Sequence, residues 1–184
     1  MFRISAKPAV SDAAPQLILP RHGDLSGTAL SEMPPQLERF YRYWLALPQM
    51  AEGLPLRRSF RPEMLRDLLP NVLMLDVEEE RGGERRYRYR LIGTAHRPHM
   101  PGELTGRYVD EVQPYERYRR GVENFSQIIA ARSPAWWRNY SMIGEVKRLP
   151  YHEYERVLAP FADEDGNVRL LIGVWIWGDM LKSR

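Results

Sequence analysis

A chain of 184 residues with 43% hydrophobic content is long enough for one domain with a real core and an added arm. Its 27 Lys+Arg against 24 Asp+Glu leave a net charge of +3. That charge is spread along the chain, which argues against a dedicated nucleic-acid binder, whose cations gather on one face. The absence of cysteine excludes disulfides, thiolate metal sites and a cysteine nucleophile.

No apolar run reaches the roughly 18–20 residues that span a bilayer. The start, MFRISAKPAVSDAAPQLILP, interrupts its apolar pattern with prolines and lacks the continuous core of a signal peptide. The expected location is cytoplasmic. Residues 1–30 read as a flexible arm with a short apolar cluster, Leu17-Ile18-Leu19, and residues 31–180 as the folded domain.

The first helix is expected from about Pro35 to Leu47, with Ser31 as a possible cap, a proline in its first turn and Pro48 as its stop. Leu37, Phe40, Tyr41, Trp44 and Leu45 recur at helical spacing and form one broad apolar face. That face needs a cover, either the rest of the fold or a second subunit. RPEMLRDLLP predicts a short helix with Leu65, Leu68 and Leu69 inward, ended by Pro70. NVLMLDVEEE predicts a strand, because its apolar run is short and bounded by proline and charge.

After the turn RGGE comes ERRYRYRLIGT, in which Arg86, Arg88 and Arg90 alternate with Tyr87, Tyr89 and Leu91. Side chains of a strand alternate between its faces, so the pattern predicts a second strand hairpinned to the first. The arginines then meet Glu78, Glu79 and Glu80 across the pair, which accounts for them without nucleic acid. PGELTGRYVDEV predicts a turn-rich crossing. YERYRRGVENFSQIIAARSP predicts a long helix, with Tyr118, Val122, Phe125, Ile128 and Ile129 on one face.

AWWRNYSM, YHEYERVLAPF and VRLLIGVWIW predict three more strands, with the turn ADEDGN between the last two. The final strand is apolar on both faces and must be covered on both. The fold class is α+β: a five-stranded antiparallel sheet with helices on one face and an extra N-terminal helix packing on the sheet or on a partner.

This order resembles that of the PAS domain, and more narrowly a family of single-domain PAS-type proteins frequent in proteobacteria. The matching stretches are FYRYWLAL, LRDLLPNVLMLDVE, RYRYRLIGT, GELTGRYVDE, YERVLAPFADEDGNV and LLIGVW, which together run from about Leu37 to Trp177. The resemblance implies helices enclosing a small cavity against the sheet, and a sensory or interaction module that binds a small molecule or a protein without catalysis. It leaves no room for an output domain in this sequence, so a signal is expected to pass to a separate partner or through dimer geometry. It also bears on cofactors. Flavin photochemistry of the light-sensing subclass and thiol-linked chromophores both need a cysteine, and none is present. Haem is disfavoured, since His96 and His99 in TAHRPHM have no further ligand nearby, and no metal site is expected.

The candidate cavity residues are Arg90, His96, His99, Trp136, Trp137, Tyr140 and Tyr151. Arg90 would be a buried guanidinium needing an acid or an anionic ligand if its face is concave, and an ordinary strand arginine if that face is wet. Phe40, Tyr41 and Trp44 are the candidate interface of a homodimer. Two other classes remain open: a nucleic-acid adaptor using the arginine strand and Arg117, Arg119 and Arg120, and a small enzyme. The second has no evident machinery. DEDG reads as a turn, Asp110, Glu111, Glu153 and Glu155 have no visible partner, and GVWIWGD is not a phosphate loop.

Overall fold

Prolines set the first boundaries. In the computed structural model, which describes residues 33–50, 53–80, 82–100, 102–112, 115–141 and 152–178, helix α1 is Pro35–Ala46. Pro35 supplies its first helical position, where a missing N–H costs nothing. The side chains of residues 115–118, 120, 138–141, 152 and 153 lie outside the description, as does the arm expected over residues 1–30.

The stretch Pro62–Asn71 forms tight 3-10 turns kinked at Leu65 rather than the single short helix expected. Leu65 and Leu68 are buried there and Leu69 half-buried. Strands β1 (Val72–Glu79) and β2 (Arg85–Ile92) follow as an antiparallel hairpin. Its turn relies on Gly82 and Gly83, both at positive φ (116° and 84°). A 3-10 segment, Thr94–His99, and the short α2 (Val109–Val112) lead to α3 (Tyr115–Ala131). Strands β3 (Ala135–Ser141), β4 (His152–Ala162) and β5 (Val168–Trp177) complete the chain. The β4–β5 turn is held by Asp163, whose Oδ1 accepts the backbone N–H of Asp165 at 3.0 Å and of Asn167 at 2.8 Å.

The five strands are ordered β2-β1-β5-β4-β3 and every pairing is antiparallel. The last strand in sequence is thus the middle of the sheet, which explains why its two faces are both apolar. The outer edge of β2 is not left open. Tyr89 donates its N–H to the carbonyl of Arg107 at 2.9 Å and accepts that of Gly106 at 2.6 Å.

Opposite faces of the sheet have opposite covers. On one, the Phe125 ring of α3 lies 4.8 Å from Tyr87, and His96 lies 5.6 Å from Trp175. This is the inner face. On the other, α1 packs across β4 and β5: Trp44 donates its indole N–H to the Pro160 carbonyl at 2.9 Å, and Tyr43, Phe60 and Phe161 form an edge-to-face chain. The α+β class and the sheet with an additional N-terminal helix on it are as the sequence predicts.

That packing corrects the expected interface. Phe40, Tyr41 and Trp44 are buried within their own chain, with Phe40 and Trp44 at 0% exposure. An aromatic face closed over its own sheet cannot also present those rings to a second subunit.

Where β2 gives way to the Thr94–His99 segment, Gly93 passes close to the preceding turn. A Cβ on it would lie 2.2 Å from the Pro70 carbonyl oxygen, a backbone atom. Gly93 also donates its N–H to Val72 at 2.7 Å, so it cannot back away without loosening β1. Gly93→Ala is expected to cost about 2–3 kcal/mol, readable as a lowered urea midpoint with unchanged slope. A midpoint within error of the parent would contradict this close approach.

Candidate functional site

The register of three strands places Trp137 of β3 opposite Arg156 of β4, and Arg156 opposite Trp175 of β5. Directly opposed residues share a face, so one cross-strand row reads Trp-Arg-Trp. The Arg156 guanidinium carbon lies 4.9 Å from the Trp137 ring and 4.8 Å from Trp175. Phe125 of α3 and Tyr154 of β4 each stand 5.9 Å away. Arg156 is therefore on the inner face, under α3, in a cage of rings.

Arg156 is only 5% exposed. Its sequence neighbour Glu155 looks like a natural partner, but alternation sends the two to opposite faces. Glu155 is buried on the α1 side, where it accepts the Trp136 indole N–H at 3.0 Å. Among the described residues no carboxylate pairs with Arg156, and its Nε has no hydrogen-bond partner. Burial pulls the guanidinium below its ordinary pKa, an effect that Tyr154 and Tyr89 partly oppose. Cation–π contacts offset part of the desolvation, about 0.5–2 kcal/mol each. Taking an ion out of water costs several kcal/mol, and ring faces cannot accept all five in-plane N–H bonds of a guanidinium. Among the described residues the row is electrostatically incomplete.

His96 and His99 roof one end of this face. His96 is fully buried: its Nε2 lies 3.1 Å from the Asn71 carbonyl, and its Nδ1 accepts the Trp177 indole N–H at 3.0 Å. A carbonyl only accepts and an indole only donates, so the proton sits on Nε2. Burial, above all, lowers the His96 pKa to about 4, keeping the ring neutral. His99 stacks on Trp177 with ring centroids 4.0 Å apart and planes 10° from parallel.

The expected cavity set is thus divided. Trp137 and His99 lie on the inner face. His96 lies there too, but both its ring nitrogens bond within the chain, so it is a clip rather than a ligand-binding group. Trp136 is a correction: its register partner is Val157, one residue from Arg156, so it belongs to the α1 side and bonds Glu155. Arg90 is a second correction. It is exposed and pairs with Asp76 at 3.2 Å on the outer face. Tyr151 and the Tyr140 side chain lie outside the described residues. Arg156 was not among the expected set. Its signal in the sequence was a cation leading directly into the apolar run VLAPF of a strand that must be buried.

The arginine strand itself is matched by acids. Arg86 makes a two-pronged contact with Asp110, both arms at 3.0 Å, and stacks on Tyr108 at 3.7 Å. Arg88 meets Glu78 at 2.8 Å and Asp76 at 3.3 Å. Of the α3 arginines on which a nucleic-acid adaptor would also draw, the Arg117 and Arg120 side chains lie outside the described residues, and Arg119 is exposed.

A separate open pocket of about 230 Å³ sits by the β4–β5 turn, bordered by Met50, Leu54, Arg132 and Glu164. Two of its charged groups are engaged, Arg132 with the Gly166 carbonyl at 3.1 Å and Glu164 with Arg58, and Asp165 also borders it. Among the described residues no group of three His, Cys, Asp or Glu side chains is gathered for a metal. Among them, too, no helix is long and apolar enough to cross a membrane.

The family model described as the PAS domain matches residues 32–176. The chain is a PAS-domain protein. PAS domains are typically sensory and non-enzymatic, and this chain is consistent with a sensory module. No curated protein matches it. Among solved structures it is similar to the PAS domain of BvgS from Bordetella pertussis, at 17% identity over 65% of this chain and 85% of that one, with a TM-score of 0.39. It is also similar to a light-oxygen-voltage domain studied with a flavin analogue, at 14% identity over 62% of this chain and 82% of that one, TM-score 0.44. An RNA-binding light-oxygen-voltage receptor matches 72% of this chain and 36% of its own at 14% identity, TM-score 0.42. In this PAS domain, Arg156 occupies the sheet face that α3 and the Thr94–His99 segment cover.

Proposed function

We propose that this PAS domain is a sensory module that holds a small molecule between the inner face of its sheet and α3, with Arg156 as the anchoring group. The observation that carries this reading is a buried guanidinium for which no described residue supplies an acid. Such a group is destabilising unless something completes it, and a bound ligand would do so.

Phe125 of α3 closes over the row, so a ligand displaces α3 relative to the sheet when it enters. Occupancy thereby becomes a change in helix position that another protein can read. Binding, not chemistry, is the function. The Arg86, Arg88 and Arg90 side chains, on which a nucleic-acid adaptor would depend, are already held by Asp76, Glu78 and Asp110, so no observation favours that alternative.

Native mass spectrometry of the freshly purified protein, with an absorbance scan, tests the reading. The expected result is a species heavier than the bare chain that reverts to chain mass in Arg156→Met. A bare chain mass, together with tryptophan fluorescence unmoved by a library of small metabolites, overturns it and favours a docking role for the domain.

A further inference from the structure

Arg156 is not the only incomplete group in its row. The indole nitrogens of Trp137 and Trp175 are also buried without a hydrogen-bond partner, alongside Arg156 Nε. These are the three residues that the β3–β4 and β4–β5 registers set side by side. Buried polar groups in native folds are nearly always bonded, so three orphans in one row call for a common explanation.

All three are donors, and neither an indole nor a guanidinium can accept a hydrogen bond. What completes the row must therefore bring acceptors. A carboxylate brings two oxygens with about four acceptor sites and matches the planar fork of a guanidinium. The row holds one cation, so one negative charge is balanced and a second would be buried unpaired. Phe125 and Tyr154, together with the flanking indoles, surround Arg156 with ring surface, against which an apolar body would pack.

Resting on the proposed ligand-binding role, we propose that the ligand is an organic monocarboxylate with a flat apolar body, its carboxylate held by Arg156 and the indole N–H groups of Trp137 and Trp175.

Isothermal titration calorimetry of the full chain tests this with a fixed panel: benzoate, phenylacetate, indole-3-acetate and hexanoate, the amide of each, and inorganic phosphate. At least one acid is expected to bind saturably, its amide about tenfold or more weaker, and phosphate not at all. Arg156→Lys keeps the charge but loses the fork, and is expected to weaken the acid about tenfold. Trp175→Phe keeps the ring wall but loses one donor, and is expected to weaken it severalfold. These two conservative variants, checked for parental circular dichroism, keep the test valid should Arg156→Met fold poorly. An amide that binds as well as its acid overturns the carboxylate assignment and leaves the ligand-binding role standing. Phosphate binding as tightly as the acids overturns the apolar body. Absence of binding by every acid of the panel overturns the inference, and a bare native mass in the same preparation removes the ligand-binding role with it.

Discussion

Trp44→Ala is expected to lower the stability of the fold by about 4 kcal/mol, the usual scale for emptying a buried tryptophan site. Trp44 is fully buried and its indole N–H reaches the Pro160 carbonyl across 116 positions of sequence. Truncation removes the ring, opens a cavity between α1 and the sheet, and orphans that carbonyl. The ring lies where α1 crosses β4, so no solvent-facing rearrangement can refill the space cheaply. The measurement is urea denaturation at two protein concentrations about a hundredfold apart. A core residue gives the same loss at both. A subunit-interface residue gives a parent whose stability rises with concentration and a variant that has lost that rise. The first outcome is expected, because the ring is covered by its own chain. A loss below about 1 kcal/mol would contradict the packing of α1.

That the sequence showed this helix's apolar face but left its cover open between the sheet and a second subunit has a physical cause. The 3.6-residue spacing of Leu37, Phe40, Tyr41 and Trp44 declares an apolar face, and that much is local. What covers the face depends on chain topology. Strand β5 is apolar on both sides because it lies at the centre of the sheet, and the order β2-β1-β5-β4-β3 decides between the two covers by laying α1 over its second face.

The arginine strand was legible for the same reason in reverse. Alternation of Arg86, Arg88 and Arg90 with tyrosines, beside a run of glutamates, fixes the strand and the acidic character of its partners, though Asp76 and, from α2, Asp110 supply much of the pairing. The site was less legible. Trp136 and Trp137 are adjacent letters on opposite faces, and composition treats them alike. Glu155 and Arg156 look like a self-neutralising pair in the sequence, yet a strand forbids adjacent residues from meeting. One acid goes to Trp136 under α1 and one base to the ring cage under α3. Register, not residue type, made the site.

Acidification is expected to weaken the fold in a window set by His96. In the folded chain its pKa is about 4, against about 6.5 in an unfolded one. Between these values the unfolded chain takes up a proton that the folded chain refuses. The contribution is complete above about pH 6.5, is lost progressively as pH falls to about 4, and changes no further below that. A gap of this size corresponds to about 3 kcal/mol. The cause is geometric as well as dielectric. A proton on Nδ1 would point at the Trp177 indole N–H, donor against donor, and the nearby His99 adds repulsion when both rings are charged. Carboxylates held low, among them Asp67, Glu103 and Asp163, act in a lower window, losing their contribution below the ordinary carboxylate range. Urea midpoints measured from pH 7.5 to 4.5 therefore stay above that lower window, and a variant separates His96 from the other three histidines. His96→Gln, which offers both a donor and an acceptor but cannot titrate, is expected to start less stable and to show a much flatter profile across that range. An unchanged slope in that variant would assign the pH dependence elsewhere. Because His96 ties the Thr94–His99 segment to Asn71 and Trp177, its protonation loosens the roof beside Trp175. A ligand held on the inner face, as proposed above, is therefore expected to be released only as pH approaches about 4, where the folded chain itself takes up that proton.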